Sequence, residues 1–164
     1  MEGNFSIQLK NNKIFKLSKK AAVLSELLKG MKEIPEELVI PLDNDINSET
    51  LEKIIEYLVH FDGNPPREIS KPLYMTDMKK ITDEYSADFV DKLKIEELVD
   101  MISAAHYMKI NSLLNLCCAK MVSLCKGKSE EDIFNIFGIP KDYFKPEDKE
   151  KIKENNRWID EVFQ

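Results

Sequence analysis

Phe5, Ile7 and Leu9 alternate with Ser6, Gln8 and Lys10, the period-two pattern of a half-buried strand. Asn11-Asn12 follows as a turn dipeptide, and Ile14, Phe15 and Leu17 continue into a second strand. Ser18 offers an N-cap for a helix whose stripe of Val23, Leu24, Leu27 and Leu28 stops at Gly30. Leu38-Val39-Ile40, closed by Pro41, predicts a third strand of edge type. Beyond it the period changes from two to 3.6. Asn47 caps a predicted helix carrying Leu51, Ile54, Ile55 and Leu58, and Asp62-Gly63-Asn64-Pro65-Pro66 ends it.

Residues 62–78 hold three prolines and little periodicity, which predicts a long exposed loop, functional or disordered, of unusual length for a compact domain. A helical pair follows. Ile95, Leu98, Val99 and Ile102 make one apolar face; Leu113, Leu116, Cys117, Met121 and Leu124 make the other, with Met108-Lys109-Ile110-Asn111 between them. Gly127 breaks the second helix. Ser129-Glu130-Glu131-Asp132 then resembles a capping box opening a short helix that ends at Gly138 and Pro140. Pro146 suits the first position of a last helix, with Glu147 and Asp148 near its positive end. Helices this short are marginal alone. Yet Phe134, Phe137, Ile139, Tyr143, Phe144, Ile152, Trp158, Ile159 and Phe163 crowd into this stretch, so it must find a partner surface on its own domain or on another chain.

Composition narrows the function. The chain has 164 residues, 43% apolar and 33% charged, enough to bury roughly 70% of its unfolded surface without a disulfide or metal. Its net charge is −6, and of 24 basic residues only Arg67 and Arg157 are arginines. Nucleic-acid binders carry a basic stripe with arginine forks, so that class is excluded. Apolar runs of at most four residues cannot span a bilayer, and the first residues lack the pattern of a secretion signal. An acidic, soluble, intracellular domain is expected.

Catalysis finds little support. Cys117, Cys118 and Cys125 crowd into one helical stretch, which is neither a disulfide framework nor, with only His60 and His106, a zinc site. A thiol–imidazole pair would need Cys117 or Cys125 with His106, but Cys117 falls on an apolar face where a thiol is inert. No glycine spacing forms a phosphate loop, and the carboxylates scatter among lysines. No enzyme, cofactor or metal is expected. Two features stay ambiguous on residue chemistry alone. His106-Tyr107 either helps terminate its helix or contacts a partner, and Trp158 either pins the tail or anchors an interface.

Ser103-Ala104-Ala105-His106-Tyr107-Met108-Lys109-Ile110-Asn111-Ser112-Leu113-Leu114 is close to the string Ala-Ala-Asn-Tyr-Leu-x-Ile-x-x-Leu-Leu. Lys126-Gly127-Lys128-Ser129-Glu130-Glu131-Asp132-Ile133 is close to K-G-K-[ST]-x-E-E-I, and Phe137-Gly138-Ile139 and Asn156-Arg157-Trp158 follow. Ile40-Pro41-Leu42, Ile54-Ile55 and Pro65-Pro66 fall into place at the front. Together these strings resemble the S-phase kinase-associated adaptor family of SCF ubiquitin ligases, over nearly the whole chain.

The resemblance implies an α+β fold, a BTB/POZ-like unit over residues 1–126 and a helical extension over 127–164. It implies a non-catalytic adaptor with two partners, a cullin and an F-box protein that selects the substrate. His106 and Tyr107 match the family's cullin-facing Asn-Tyr pair, with His106 in place of Asn. Leu116, Ile133, Phe137, Ile139, Phe144, Ile152, Asn156 and Trp158 match its F-box-facing positions. Pro146 stands where some unicellular relatives carry a hydroxylated and glycosylated proline. The loop over 62–78 departs: it is often strongly acidic in relatives, whereas here Arg67, Lys71, Lys79 and Lys80 offset the acids. An elongin C-like adaptor is the nearest rival, but that plan has no place for residues 127–164. A self-associating BTB protein is a second rival, and a thiol hydrolase, of a different class, is a third.

Overall fold

The computed structural model describes residues 3–31, 33, 35, 39–42, 45–140 and 142–158. Leu38, Ile159 and Phe163, which figure in the expectations above, lie outside the described residues, as do Met1 and Glu2. The chain divides into two compact units, Met1–Lys126 and Gly127–Gln164.

The first unit opens with β1 (Asn4–Gln8) and β2 (Ile14–Ser18), antiparallel with Phe5 opposite Leu17 and Ile7 opposite Phe15. Alternation therefore puts Phe5, Ile7 and Leu17 into the core, each at most 2% exposed. The helix expected from Ser18 to Gly30 is broken in two. Ser18 Oγ accepts from the Ala21 amide and starts a 3₁₀ turn over Ala21–Leu24, and Ser25 then caps α1 (Glu26–Lys29). The break lets Ser25 serve two elements, because its hydroxyl accepts from Leu28 N and donates to Met108 O at 2.6 Å. β3 (Val39–Pro41) pairs parallel with β1 and forms the edge of a sheet ordered β2-β1-β3. An edge tolerates the missing amide of Pro41.

Asn47 Oδ1 accepts from Thr50 N and caps α2 (Ser48–Phe61), which buries Leu51, Ile54, Tyr57 and Leu58. Asp62 ends it in the left-handed conformation, and Gly63 follows at φ +83°. A Cβ on Gly63 would lie 2.7 Å from the Lys20 carbonyl oxygen, so only glycine lets the helix end approach the 3₁₀ turn this closely.

The loop expected to be exposed over 62–78 is fastened from beneath. Ile69 is buried, Leu73 packs against the core, Lys71 Nζ donates to Asn115 Oδ1 at 3.1 Å and Lys126 Nζ donates to Leu73 O at 2.6 Å. Two short helices then intervene that the periodicity did not announce, α3 (Met78–Ile81) and α4 (Glu84–Asp91). Asp77 and Asp83 cap them, and Met78, Ala87, Phe89 and Val90 bury their inner sides.

α5 (Ile95–Tyr107) packs against α2 and against α6 (Asn111–Cys125). The three residues between α5 and α6 form a Schellman motif: Ile110 N donates to Ala105 O, Lys109 N donates to His106 O, and Lys109 takes φ +52°. Ile110 is fully buried and closes the motif's apolar contact. The second unit contains α7 (Glu130–Phe137) and α8 (Pro146–Asn155). The small sheet with its helices, followed by a helical extension, is the α+β arrangement that the BTB/POZ resemblance implies.

Candidate protein-docking surfaces

The expected cullin-facing pair sits on the last turn of α5. His106 is exposed and Tyr107 half-buried, its ring packed against the core. Their positions follow from the helix end. The Schellman motif uses His106 O, and the backbone beyond is held by two bonds from the front of the chain, Ser25 Oγ to Met108 O and Glu26 N to Lys109 O at 3.2 Å. Residues 83 positions apart thus fix where the end of α5 points.

The second surface belongs to residues 127–158. Ser129 and Asp132 form the capping box reciprocally, the Ser129 hydroxyl accepting from Asp132 N and the carboxylate accepting from Ser129 N. The Ser129 hydroxyl also donates to the Asp132 carboxylate at 2.8 Å, and this bond foremost, with the one from Ser129 N, holds the Asp132 carboxyl below the usual range. At the other end Gly138 takes φ +63°, and Ile139 N donates to Phe134 O at 2.8 Å, a second Schellman motif. The two caps confine α7 to eight residues.

α8 begins with Pro146 at its first turn and Asp148 accepting from Lys145 N. Phe134 of α7, Phe144 just ahead of α8 and Ile152 on it, with Glu130, Lys149, Glu150, Lys153 and Asn156 around them, line a groove of about 790 Å³. The Phe134 and Phe144 rings are 5.9 Å apart, and Tyr143 meets Phe144 edge-on at 5.1 Å. The Asn156 amide donates to Ile152 O at 2.7 Å, closing the end of α8.

The groove thus brings together three of the expected F-box positions, Phe144, Ile152 and Asn156. Ile133, Phe137 and Ile139 are half-buried on the same unit but outside the groove, and Trp158 is 57% exposed beyond α8. Leu116 is corrected. At 2% exposure it belongs to the core of the first unit, where α6 turns its apolar face inward, and it offers no free side chain. Phe134 was missed as a site residue. The signal was present, since the capping box at Ser129 fixes the helix register and puts Phe134 on it.

No residue of the second unit is buried among those described, although it carries Phe134, Phe137, Tyr143, Phe144 and Trp158. Sequences that bury so little aromatic surface usually present it to a partner. Chemistry has less to work with. Cys117 is buried, and burial pushes its thiol up to about 12. Among the described residues no three His, Cys, Asp or Glu side chains come together to hold a metal, and no helix is long and apolar enough to cross a membrane.

Comparison with known proteins places this geometry in a family. Residues 111–159 match the Skp1 family dimerisation domain. A protein of Tetrahymena thermophila named S-phase kinase-associated protein 1 homolog is 40% identical over 153 residues, covering 92% of this chain and 90% of the relative. An SCF ubiquitin ligase complex protein SKP1b of Dictyostelium discoideum is 33% identical over 160 residues, 94% of each chain. An E3 ubiquitin ligase complex SCF subunit sconC of Arthroderma otae is 30% identical over 149 residues, 88% of this chain and 85% of its own. Identity at this level over nearly the full length of both proteins makes the chain a member of the Skp1 family.

Proposed function

We propose that this chain is the non-catalytic adaptor of an SCF ubiquitin ligase, joining a cullin scaffold to interchangeable F-box proteins in cytoplasm and nucleus. His106 and Tyr107 meet the cullin. Ile133, Phe137, Ile139, Phe144, Ile152, Asn156 and Trp158, with Phe134 added from the groove, receive the F-box. The observation that carries the reading is the uncovered aromatic surface of the second unit, in a chain whose relatives are named as SCF subunits. Apolar anchors there fill pockets of the partner, and Glu130, Lys149, Glu150 and Lys153 form a polar rim.

The adaptor acts by tethering. Binding both partners at once raises the effective concentration of a substrate near the ligase's catalytic end, and no bond is made or broken on the adaptor itself. The departure of His106 from the family's Asn changes one polar contact to the cullin, which Tyr107 is left to anchor. Pro146, exposed at the start of α8, is accessible to a modifying enzyme, and an intact mass on native protein tests whether it is modified.

The test is reconstitution. The full chain is mixed with an F-box domain, a cullin N-terminal domain, or both, and followed by size-exclusion chromatography with light scattering. A 1:1:1 complex is expected, with Tyr107→Ala weakening the cullin arm and Trp158→Ala the F-box arm. Failure of the wild-type chain to bind either partner overturns the proposal.

A further inference from the structure

One cleft on the first unit combines unspent positive charge with apolar side chains that the fold holds outward. It lies in the segment from α2 to α3, where Arg67, Leu73, Tyr74, Met75, Lys80 and Ile81 enclose about 120 Å³. That is room for one side chain and not for a helix.

Tyr74 is 79% exposed and Met75 53% exposed. Their exposure is imposed by the fastening of the loop. Ile69 and Leu73 are packed below, and Lys71 and Lys126 bond to Asn115 and Leu73 O on either side of Pro72. A segment pinned on both sides presents the next two side chains in a fixed place, which reduces the ordering cost of receiving a ligand.

The charge around the cleft points to the partner's chemistry. Arg67 has no ion-pair partner among the described residues, although the chain's net charge is −6. Lys79 is taken by Asp88 at 3.0 Å. Lys80 reaches Asp77 only at 3.7 Å, and that carboxylate also accepts from Lys79 N as the cap of α3. Glu68 neighbours Arg67 in sequence but does not line the cleft. A guanidinium fork and an ammonium beside an apolar recess match a carboxylate followed closely by an apolar side chain.

We propose that this cleft docks an acidic peptide segment of a partner protein, a Glu or Asp carboxylate on Arg67 and Lys80 and an adjacent leucine-sized side chain against Leu73, Met75 and Ile81. The cleft is on the first unit and shares no lining residue with the proposed cullin-facing and F-box-facing sets, so its test is separate from that of the adaptor role.

The probe is the peptide acetyl-Ser-Glu-Glu-Leu-Glu-Gly-amide, titrated into the ¹⁵N-labelled full chain by NMR, with a control in which every Glu is Gln. Shift changes confined to residues 67–81 are expected, with binding at least tenfold weaker for the Gln control. The double variant R67E/K80E, both positions exposed, is expected to lose at least tenfold in affinity while its spectrum elsewhere is unchanged. Tyr74→Ala provides a second variant that keeps the charge and removes apolar surface, and it too should weaken binding. No shifts at millimolar peptide, equal binding of the Gln control, or full affinity in R67E/K80E would each overturn the proposal.

Discussion

Truncating Trp158 to alanine tests the adaptor reading most directly. The residue is 57% exposed, so of the roughly 250 Å² that a tryptophan can bury, about 140 Å² is still open to a partner. At about 25 cal/mol per Å² this is worth ~3.5 kcal/mol. Immobilising the side chain costs roughly 1 to 1.5 kcal/mol, which leaves about 2 kcal/mol. Affinity for an F-box domain should therefore fall about thirtyfold. The free protein should scarcely notice, since substitutions at exposed sites stay within about 0.5 kcal/mol. Isothermal titration of wild type and variant against the same F-box domain measures the affinity, and thermal unfolding of the free proteins supplies the control. An unchanged Kd would refute the assignment of Trp158 to the interface. A large loss of stability in the free variant would instead show that the indole pins the tail to its own chain.

Other outcomes follow from the same geometry. Leu116→Ala should cost roughly 2 to 5 kcal/mol of unfolding free energy in urea, as a cavity in the first unit, because that side chain is core and not contact surface. Ser129→Ala should cost α7 roughly 1 kcal/mol, visible as faster amide exchange over 130–137. Because the Asp132 carboxyl is held below its ordinary range, its capping contribution should be complete above that range and lost as pH falls through the folded-state value, followed by an NMR titration of the Asp132 carboxyl. Lys109→Gly should raise stability by up to about 1 kcal/mol in chemical denaturation. A left-handed non-glycine residue costs roughly 1 to 2 kcal/mol, and glycine's looser unfolded state returns part of the gain. Brief maleimide treatment at neutral pH should label exposed Cys118 and spare buried Cys117, as read by peptide mass spectrometry.

Elements with caps and a clean period were legible in the sequence. Asn47 with Leu51, Ile54 and Leu58 gave α2, and Ser129 with Asp132 gave α7. α3 and α4 were not, because at four and eight residues they are too short to show a clear period and each draws its start from an aspartate inside a charged stretch. The split at Ser25 was hidden for a different reason. Val23, Leu24, Leu27 and Leu28 satisfy a helical period whether or not the backbone is continuous, and what breaks it is a bond to Met108 far along the chain. The same distinction explains the candidate surfaces. Phe144, Ile152 and Asn156 converge because local caps set the ends of α7 and α8, whereas the burial of Leu116 depends on how α6 packs, which spacing alone leaves open.

The hydroxyl of Ser25 and the amide of Glu26 reach across the first unit to the carbonyls that follow Tyr107. A protein that works by where it carries its cargo has to resist twisting at its mount, since a small tilt there is magnified along the whole length of what it carries. For the cullin mount proposed at the end of α5, those two bonds act as a brace: the tip of α5 turns only if the front of the chain turns with it. Selection on this subunit should therefore be felt at a serine wholly buried inside the first unit.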